Sequence, residues 1–430
     1  MTASTTTEPA GRILVVEAVS GGVLLTDAAL ELGLRVVVAS ADRDDRTVPD
    51  RLRDRLDALV TVETNDLDAL TARVRDLHAR LPLSAVFPGC DVYVPAAAHL
   101  AAGLGLTGLD VRTVDRVRDK ARMREAVAAA GLHGPRFVEV DTAAGLRAAG
   151  EHTGFPCVLK PVDQSGSLHV TKVHDQRGLA AAYDRLTGDP LLDLGRPMDG
   201  RVLVEEYLAG PEYSVEGHVR RGGRTAVLAV TEKILGPEPH FAELGHVVPA
   251  ALPDTAAAAV EEYVHAVVAA VGITAGPFHC ELRLTAAGPA LVEIGARLPG
   301  DRIPDLVRLV RGVSMPRLWL AEHLGLDPDA AGARTRPVAP CAGIHFFTAP
   351  GGTRCTHVTG LDEARRTPGV REAVLDVRPG DPVHPGLDDF RCRLGHALLT
   401  ADSPAELAAV RRRVARTVRI HTHAEEHAHG

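Results

Sequence analysis

The opening forty residues carry the pattern that most narrows the fold. Residues 12–19, RILVVEAV, are dominated by apolar and β-branched side chains, as a strand buried on both faces requires. Ser20-Gly21-Gly22 breaks the run. Residues 23–32 then read as a helix stopped by Gly33, and residues 35–40, RVVVAS, as a second strand. Strand, helix and strand in that order make a parallel pair joined by a crossover, which commits the start of the chain to an α/β layer. The glycines do not follow G-x-G-x-x-G, and no acidic residue stands where a dinucleotide ribose would be held. A Rossmann-like domain without a nicotinamide site is expected. A helix over 67–80 and a strand over 85–88 running into Gly89-Cys90-Asp91 complete it, and it ends near Leu109.

Beyond that point helices and strands mix differently. Residues 111–130 predict one helix with Gly131 as its stop, and residues 142–153 another. Residues 155–161 form a short strand ending in Lys160-Pro161. A loop of mostly small and polar residues follows, Asp163-Gln164-Ser165-Gly166-Ser167, then a strand holding Val170 and Val173 and a helix over 179–186. Residues 201–207 and 212–219 read as strands, the second pairing with 224–231. A long helix over 256–271 precedes a hairpin of 278–284 with 290–294. From residue 339 a third lobe of short strands and helices is expected. Residues 1–10 and the His-rich 421–430 are expected to be disordered tails.

Composition excludes several classes of function. The 48 basic and 56 acidic residues leave a net charge of −8, the wrong sign for a surface that holds nucleic acid. No run reaches the roughly 18 apolar residues of a membrane span. The first ten residues lack an apolar signal core, so a cytoplasmic location is expected. The six cysteines are dispersed without a C-x-x-C pair, which fits free thiols in a reducing compartment. Of the 48 basic residues only four are lysines: Lys120, Lys160, Lys172 and Lys233. In a chain that uses arginine almost everywhere, a lysine is conspicuous, because its compact ammonium and thin stem do what a planar fork cannot.

Three constellations carry chemistry. Glu281 and Glu293 stand on adjacent strands among apolar neighbours, and two converging carboxylates repel unless a cation lies between them. Mg²⁺ suits such a pair together with phosphate oxygens; two glutamates facing solvent are the alternative. Lys160 with the Ser165-Gly166-Ser167 loop offers a point charge and backbone N–H groups to phosphates, although an ordinary turn reads the same way and no P-loop is present. Arg297, four residues after Glu293, can grip a carboxylate or acyl phosphate with two N–H groups, or can serve in a structural ion pair.

In their order and spacing these segments are more specific than any one of them. The chain resembles the ATP-grasp superfamily of carboxylate–amine ligases, and within it the L-amino-acid ligases that make dipeptides. The resemblance rests on Val158-Leu159-Lys160-Pro161 and on the stretch from Val204-Glu205-Glu206-Tyr207-Leu208 to Gly210-x-Glu212-Tyr213-Ser214. It continues through Phe241-Ala242-Glu243-Leu244-Gly245-His246, Gly276 to Glu281 and Glu293 to Asp301, and reaches Gly343 to Phe347 and Arg393 to His396. It covers residues 11 to about 420. The fold it implies is a Rossmann-like domain (11–110), a helix with a small α+β lobe (111–203), a large α+β lobe with the metal and catalytic site (204–330) and a C-terminal subdomain (331–420).

The resemblance also implies roles. Lys120, Lys160, Ser165, Gly166 and Ser167 would hold the phosphates of ATP. Glu205, Glu206, Tyr207 and Leu208 would hold adenine, and Glu212 the ribose. Glu281 and Glu293 would bind Mg²⁺, or Mn²⁺ in its place. Arg297 would steady the acyl phosphate and the tetrahedral intermediate. Glu243 and His246, on an expected loop, and Gly300 would contact amino-acid substrates. The implied reaction joins a carboxylate to an amine through an acyl phosphate, releasing ADP and phosphate. Another ATP-grasp ligase or carboxylase, or a non-catalytic ATP-binding regulator, stands as the alternative. The partners are small molecules, with no nucleic acid and no membrane, and a homodimer is the assembly such a chain suggests. Two positions depart from the family pattern. E-x-N-x-R has Gly295 in its middle, and His169 stands where a glycine often precedes the valine.

Overall fold

The computed structural model describes residues 11–423 except 199 and 221. Residues 1–10 and 424–430, expected as tails, lie outside the described residues.

Four parallel strands open the chain, in the spatial order Ala58–Thr61, Arg35–Ser40, Arg12–Val16, Ala85–Pro88. Arg12–Val16 is buried along its whole length, which is why its sequence shows no alternation. The helix between the first two strands spans Gly21–Glu31, and Leu67–Arg80 and Ala85–Pro88 fall where the sequence places them. The crossover is drawn tight at the carboxyl ends of the strands. Gly22 donates its N–H to the Gly89 carbonyl at 2.8 Å. A Cβ on Gly89 would stand 1.5 Å from the Glu17 carbonyl oxygen. That close approach aims the following residues, Cys90 and Asp91, into the crevice where ligands bind in open α/β sheets.

The small lobe is an antiparallel sheet in the order Phe137–Val140, Val202–Glu206, Cys157–Pro161, Thr171–Val173. Helices Leu146–Thr153 and Gln176–Thr187 cover it, with Leu159, Leu179 and Val204 fully buried between. The large sheet has eight antiparallel strands, from Gly288–Gly295 at one edge to Val370–Leu375 at the other. Glu243–Val248 pairs with Cys341–Phe346, so strands from both sides of residue 330 share this sheet. The helix Asp254–Val271 buries Val260, Val264, Val267, Val268 and Val271 on one face against it, a helical spacing.

Four expectations change. The helix expected over 111–130 is a 3₁₀ turn, Val114–Val117, followed by a separate helix, Lys120–Ala129. Asp119 divides them: its backbone is extended and its carboxylate accepts the N–H groups of Ala121 and Arg122, so it caps the second helix. The helix expected over 142–153 starts at Leu146, after a 3₁₀ turn. Glu243 and His246 lie on a strand, Glu243–Val248, not on a loop. Residues 421–423 are not a tail: Arg419–His423 pairs with Arg354–Thr359, with Ile420 packed on the core below.

Gly89→Ala tests the crossover. The added methyl must displace the Glu17 carbonyl, an overpacking that costs about 1–3 kcal/mol. A lower urea midpoint is expected, together with loss of activity through the displaced Asp91; wild-type stability would show that the crossover has slack.

Candidate active site

The hairpin of Gly276–Thr285 with Gly288–Gly295 sets Glu281 directly opposite Glu293. Their neighbours Cys280, Leu282 and Ile294 are fully buried on the other face, so the pleat turns both carboxylates toward one cavity. Each carboxylate meets a lysine. Lys120 Nζ lies 3.0 Å from Glu293 and donates to the Gln164 carbonyl at 2.6 Å. Lys233 Nζ lies 2.8 Å from Glu281, 2.6 Å from Glu243 and 2.9 Å from Glu212. Burial alone would strip the proton from Lys233, but the three carboxylates outweigh it and hold its pKa well above the ordinary value. Glu281 is likewise held ionised against its burial by Lys233 and by His279. His279 joins Glu281 (3.1 Å) to the buried Glu216 (2.9 Å), and these two carboxylates overcome burial to push it up to about 9.

Lys160 stands across the cavity at the end of its strand. Its Nζ is 2.7 Å from Glu205, whose carboxylate is also held by Arg124 at 2.7 Å. Burial lowers the Lys160 pKa to about 8, with Glu205 opposing and Arg124 and Lys120 assisting. The Glu205 side chain is therefore committed to orienting Lys160. Glu206, Tyr207 and Leu208 line the cavity with Glu205 and Glu212. Tyr207 lies beneath Lys172 Nζ, 3.8 Å from the ring centre, and donates its hydroxyl to Glu238. The Leu208 carbonyl and the Glu212 carboxylate both accept from Arg283.

The loop Ser165-Gly166-Ser167 lines the same cavity. Gly166 and Ser167 both have φ near the left-handed region, at 65° and 61°. Ser167 donates to the Phe241 carbonyl at 2.9 Å. His169 points away from this cavity and pairs with Asp189 at 2.8 Å, so its side chain pins the loop from behind.

A second cavity continues from the first and shares Ser165, Gly166, Glu243, His279, Glu281 and Arg297 with it. The expected His246, Arg297 and Gly300 meet here. Arg297 Nε donates to Asp91 at 2.6 Å, so the carboxyl end of the first parallel sheet fixes the arginine. Asp91 also explains Gly295: a Cβ there would stand 2.5 Å from the Asp91 carboxylate, leaving no room for an amide. Opposite, Arg393 bridges Glu243 (2.8 Å) and Asp301 (2.6 Å), and His246 lies 2.9 Å from Asp301. Cys280 is buried, and burial raises its thiol far above the range of a nucleophile.

All the residues expected at the site thus line one pair of joined cavities. Sequence reasoning missed Asp91, Lys233 and Asp301 as site members and gave Arg393 no role. Lys233 carried a signal, as one of only four lysines. Asp91 carried none beyond its place at a strand end.

Comparisons with known proteins bear on the family and the fold. The ATP-grasp domain family matches residues 153–305, the ATP-grasp N-terminal domain residues 26–108, and the L-amino acid ligase C-terminal domain 2 residues 345–423. An uncharacterized protein of Sinorhizobium fredii is 28% identical over 408 residues, 94% of this chain and 82% of its own. Alanine–anticapsin ligase of Bacillus subtilis is 27% identical over 54% of this chain and 52% of its own, so the chain spans about half of that relative. The crystal structure of an L-amino acid ligase from Bacillus licheniformis superposes with a TM-score of 0.81 at 25% identity, covering 97% of this chain and 100% of that one.

Two predictions follow from the geometry. ATP is anionic and favours the protonated form of Lys160, so the KM for ATP is expected to rise as pH passes through about 8. Lys160→Arg, charged throughout, should bind ATP less well at neutral pH but lose this dependence. Steady-state kinetics across that range checks it, and a flat wild-type profile would separate Lys160 from the phosphates. Arg297→Lys keeps a charge opposite Asp91 and loses the two-pronged donor. Turnover is expected to fall about 10²–10³-fold, with ATP affinity by calorimetry within about twofold. A parallel collapse of ATP binding would make Arg297 a nucleotide contact.

Proposed function

We propose the substrates and the division of labour of a chain that belongs to the ATP-grasp family and is an ATP-dependent carboxylate–amine ligase. Both substrates are amino acids or close relatives. One carboxylate takes the γ-phosphoryl group of ATP, giving an acyl phosphate and ADP. The amine of the second substrate attacks that carbonyl, and the tetrahedral intermediate expels phosphate. The observation that supports this reading is the junction of the two cavities. Glu281 and Arg297 face both the lysine-lined side and the side that holds Glu243, His246 and Gly300.

In this reading Lys120 and Lys160 neutralise the phosphates, and the Ser165-Gly166-Ser167 loop covers them. Glu205 acts by aiming Lys160, the backbone of residues 205–208 borders adenine, and Glu212 faces the ribose. Glu281 and Glu293 are hard oxygen donors with the chemistry of a Mg²⁺ site, and Mn²⁺ fits the same donors. The ion would supply neutralisation of phosphate oxygens. Lys120 and Lys233 pair with these two carboxylates and aim them, and Lys233 also keeps Glu281 ionised. Arg297, held by Asp91 through Nε and Nη2, would offer its remaining N–H groups to the carbonyl oxygen on which charge grows, where a preorganised donor contributes most. Glu243 and His246 border the amino-acid side.

Among the described residues no helix is long and apolar enough to cross a membrane, and all six cysteines are free thiols. A cytoplasmic location is the proposal that accords with those thiols.

Phosphate release measured over a matrix of amino-acid pairs, with chromatography of the spent nucleotide and mass analysis of products, tests the reading. ADP and a condensed dipeptide are expected; AMP would mean adenylate chemistry. Glu281→Gln should lower turnover by orders of magnitude while circular dichroism stays unchanged, and full activity in it would remove the carboxylate pair from the mechanism.

A further inference from the structure

A short hairpin of the small lobe, Leu192–Asp193 with Arg196–Pro197, reaches over the second cavity. Its tip is fastened to the first domain from two sides. The Leu194 N–H donates to Asp45 at 2.7 Å, and the Leu194 carbonyl accepts from Asn65 Nδ2 at 3.0 Å. Leu194 holds a positive φ of 50° and Gly195 one of 72°, the bend that lets the tip reach across. The fastening holds Asp193 on the cavity wall, facing the space that Arg297, Gly300 and Asp301 also border.

The five acidic side chains of this wall differ in one respect. Asp91 is paired with Arg297, and Glu243 with Lys233 and Arg393. Glu281 is paired with Lys233 and His279, and Asp301 with Arg393 and His246. Asp193 has no side-chain hydrogen bond or ion pair among the described residues. Arg118 and Arg196 act on it only from beyond contact distance, and Asp45 and Asp163 oppose them. Burial dominates and raises its pKa above the ordinary aspartate value. A carboxylate half-buried without a partner is costly unless a cation arrives.

We propose that Asp193 is a specificity-determining residue whose carboxylate receives a cationic nitrogen of the amino-acid substrate in this cavity. The proposal rests on the amino-acid reading of the second cavity. The cation is either an α-ammonium group or the end of a basic side chain; both present N–H donors to the carboxylate. Every other acidic group on the wall is already neutralised, so the unmatched charge selects for a substrate with a positive end at this one place.

The test uses the full-length protein and its Asp193→Asn variant, assayed for phosphate release with L-lysine against norleucine and with L-alanine against propionate. Loss of a hydrogen bond to a charged group is expected to raise the KM of the recognised substrate about 10- to 100-fold, with the KM for ATP unchanged. A shrunken lysine-over-norleucine preference identifies a side-chain cation; a shrunken alanine-over-propionate preference identifies the α-ammonium. Asp193→Glu should restore part of the preference. Asp45→Ala, which removes the tie at Leu194, should also weaken the preference, and a preference that shrinks there but not in Asp193→Asn would place the effect in the hairpin and not in the Asp193 carboxylate. An active wild type with an indifferent Asp193→Asn overturns the role of Asp193 alone. A wild type that turns over no amino-acid pair overturns the amino-acid reading, and this inference with it.

Discussion

The site is organised around one buried ammonium. Lys233, on the strand Thr225–Leu235, reaches carboxylates from three other strands of the large sheet: Glu212, Glu243 and Glu281. Without that cation, these carboxylates would repel one another in a region too dry to screen them. Each also has a second partner, respectively Arg283, Arg393 and His279, so the cluster is a network of alternating charge. Breaking one member of such a network leaves an uncompensated buried charge, a loss of about 3–5 kcal/mol. The network keeps the Glu281 carboxylate ionised and aimed, and it ties Glu212 in the first cavity to Glu243, which borders both cavities, through a single atom.

A second set of contacts fixes the lobes around that centre. Asp91 extends from the first parallel sheet to hold Arg297, and Gly295 makes room for it. Phe390, from the end of the chain, donates its N–H to the Gly166 carbonyl and packs where a Cβ on Gly166 would lie, 2.7 Å from its ring. The hairpin at 192–197 is tied to Asp45 and Asn65. Every lobe thus contributes at least one residue to the joined cavities, which is why the active arrangement belongs to the whole chain and not to its central domain.

Where local rules dominate, the sequence was readable. The opening strands and helices follow from apolar runs and glycine stops, and the glutamate hairpin follows from apolar neighbours on a two-residue repeat. Where one side chain overrides a pattern, it was not. The stretch 111–130 is helical in composition, but the Asp119 carboxylate binds its neighbours' N–H groups and starts a new helix at Lys120, which sets that lysine against Glu293. Residues 421–423 look like the start of a polar tail; they extend the strand Arg419–His423 only because Arg354–Thr359 offers an edge to pair with.

The sequence by itself determined the classes of chemistry present: two facing carboxylates, lysines kept where arginine is the rule, and an arginine at a set distance behind them. These are properties of spacing along a strand or of residue choice, and both are local. Only the tertiary structure decided which charge meets which. That Glu205 serves Lys160, that Asp91 holds Arg297 and excludes a side chain at Gly295, and that Lys233 binds three strands together are contacts between residues up to 206 positions apart. Pairing of this kind depends on distance through space and on exclusion of water, and neither quantity is written in the order of the residues.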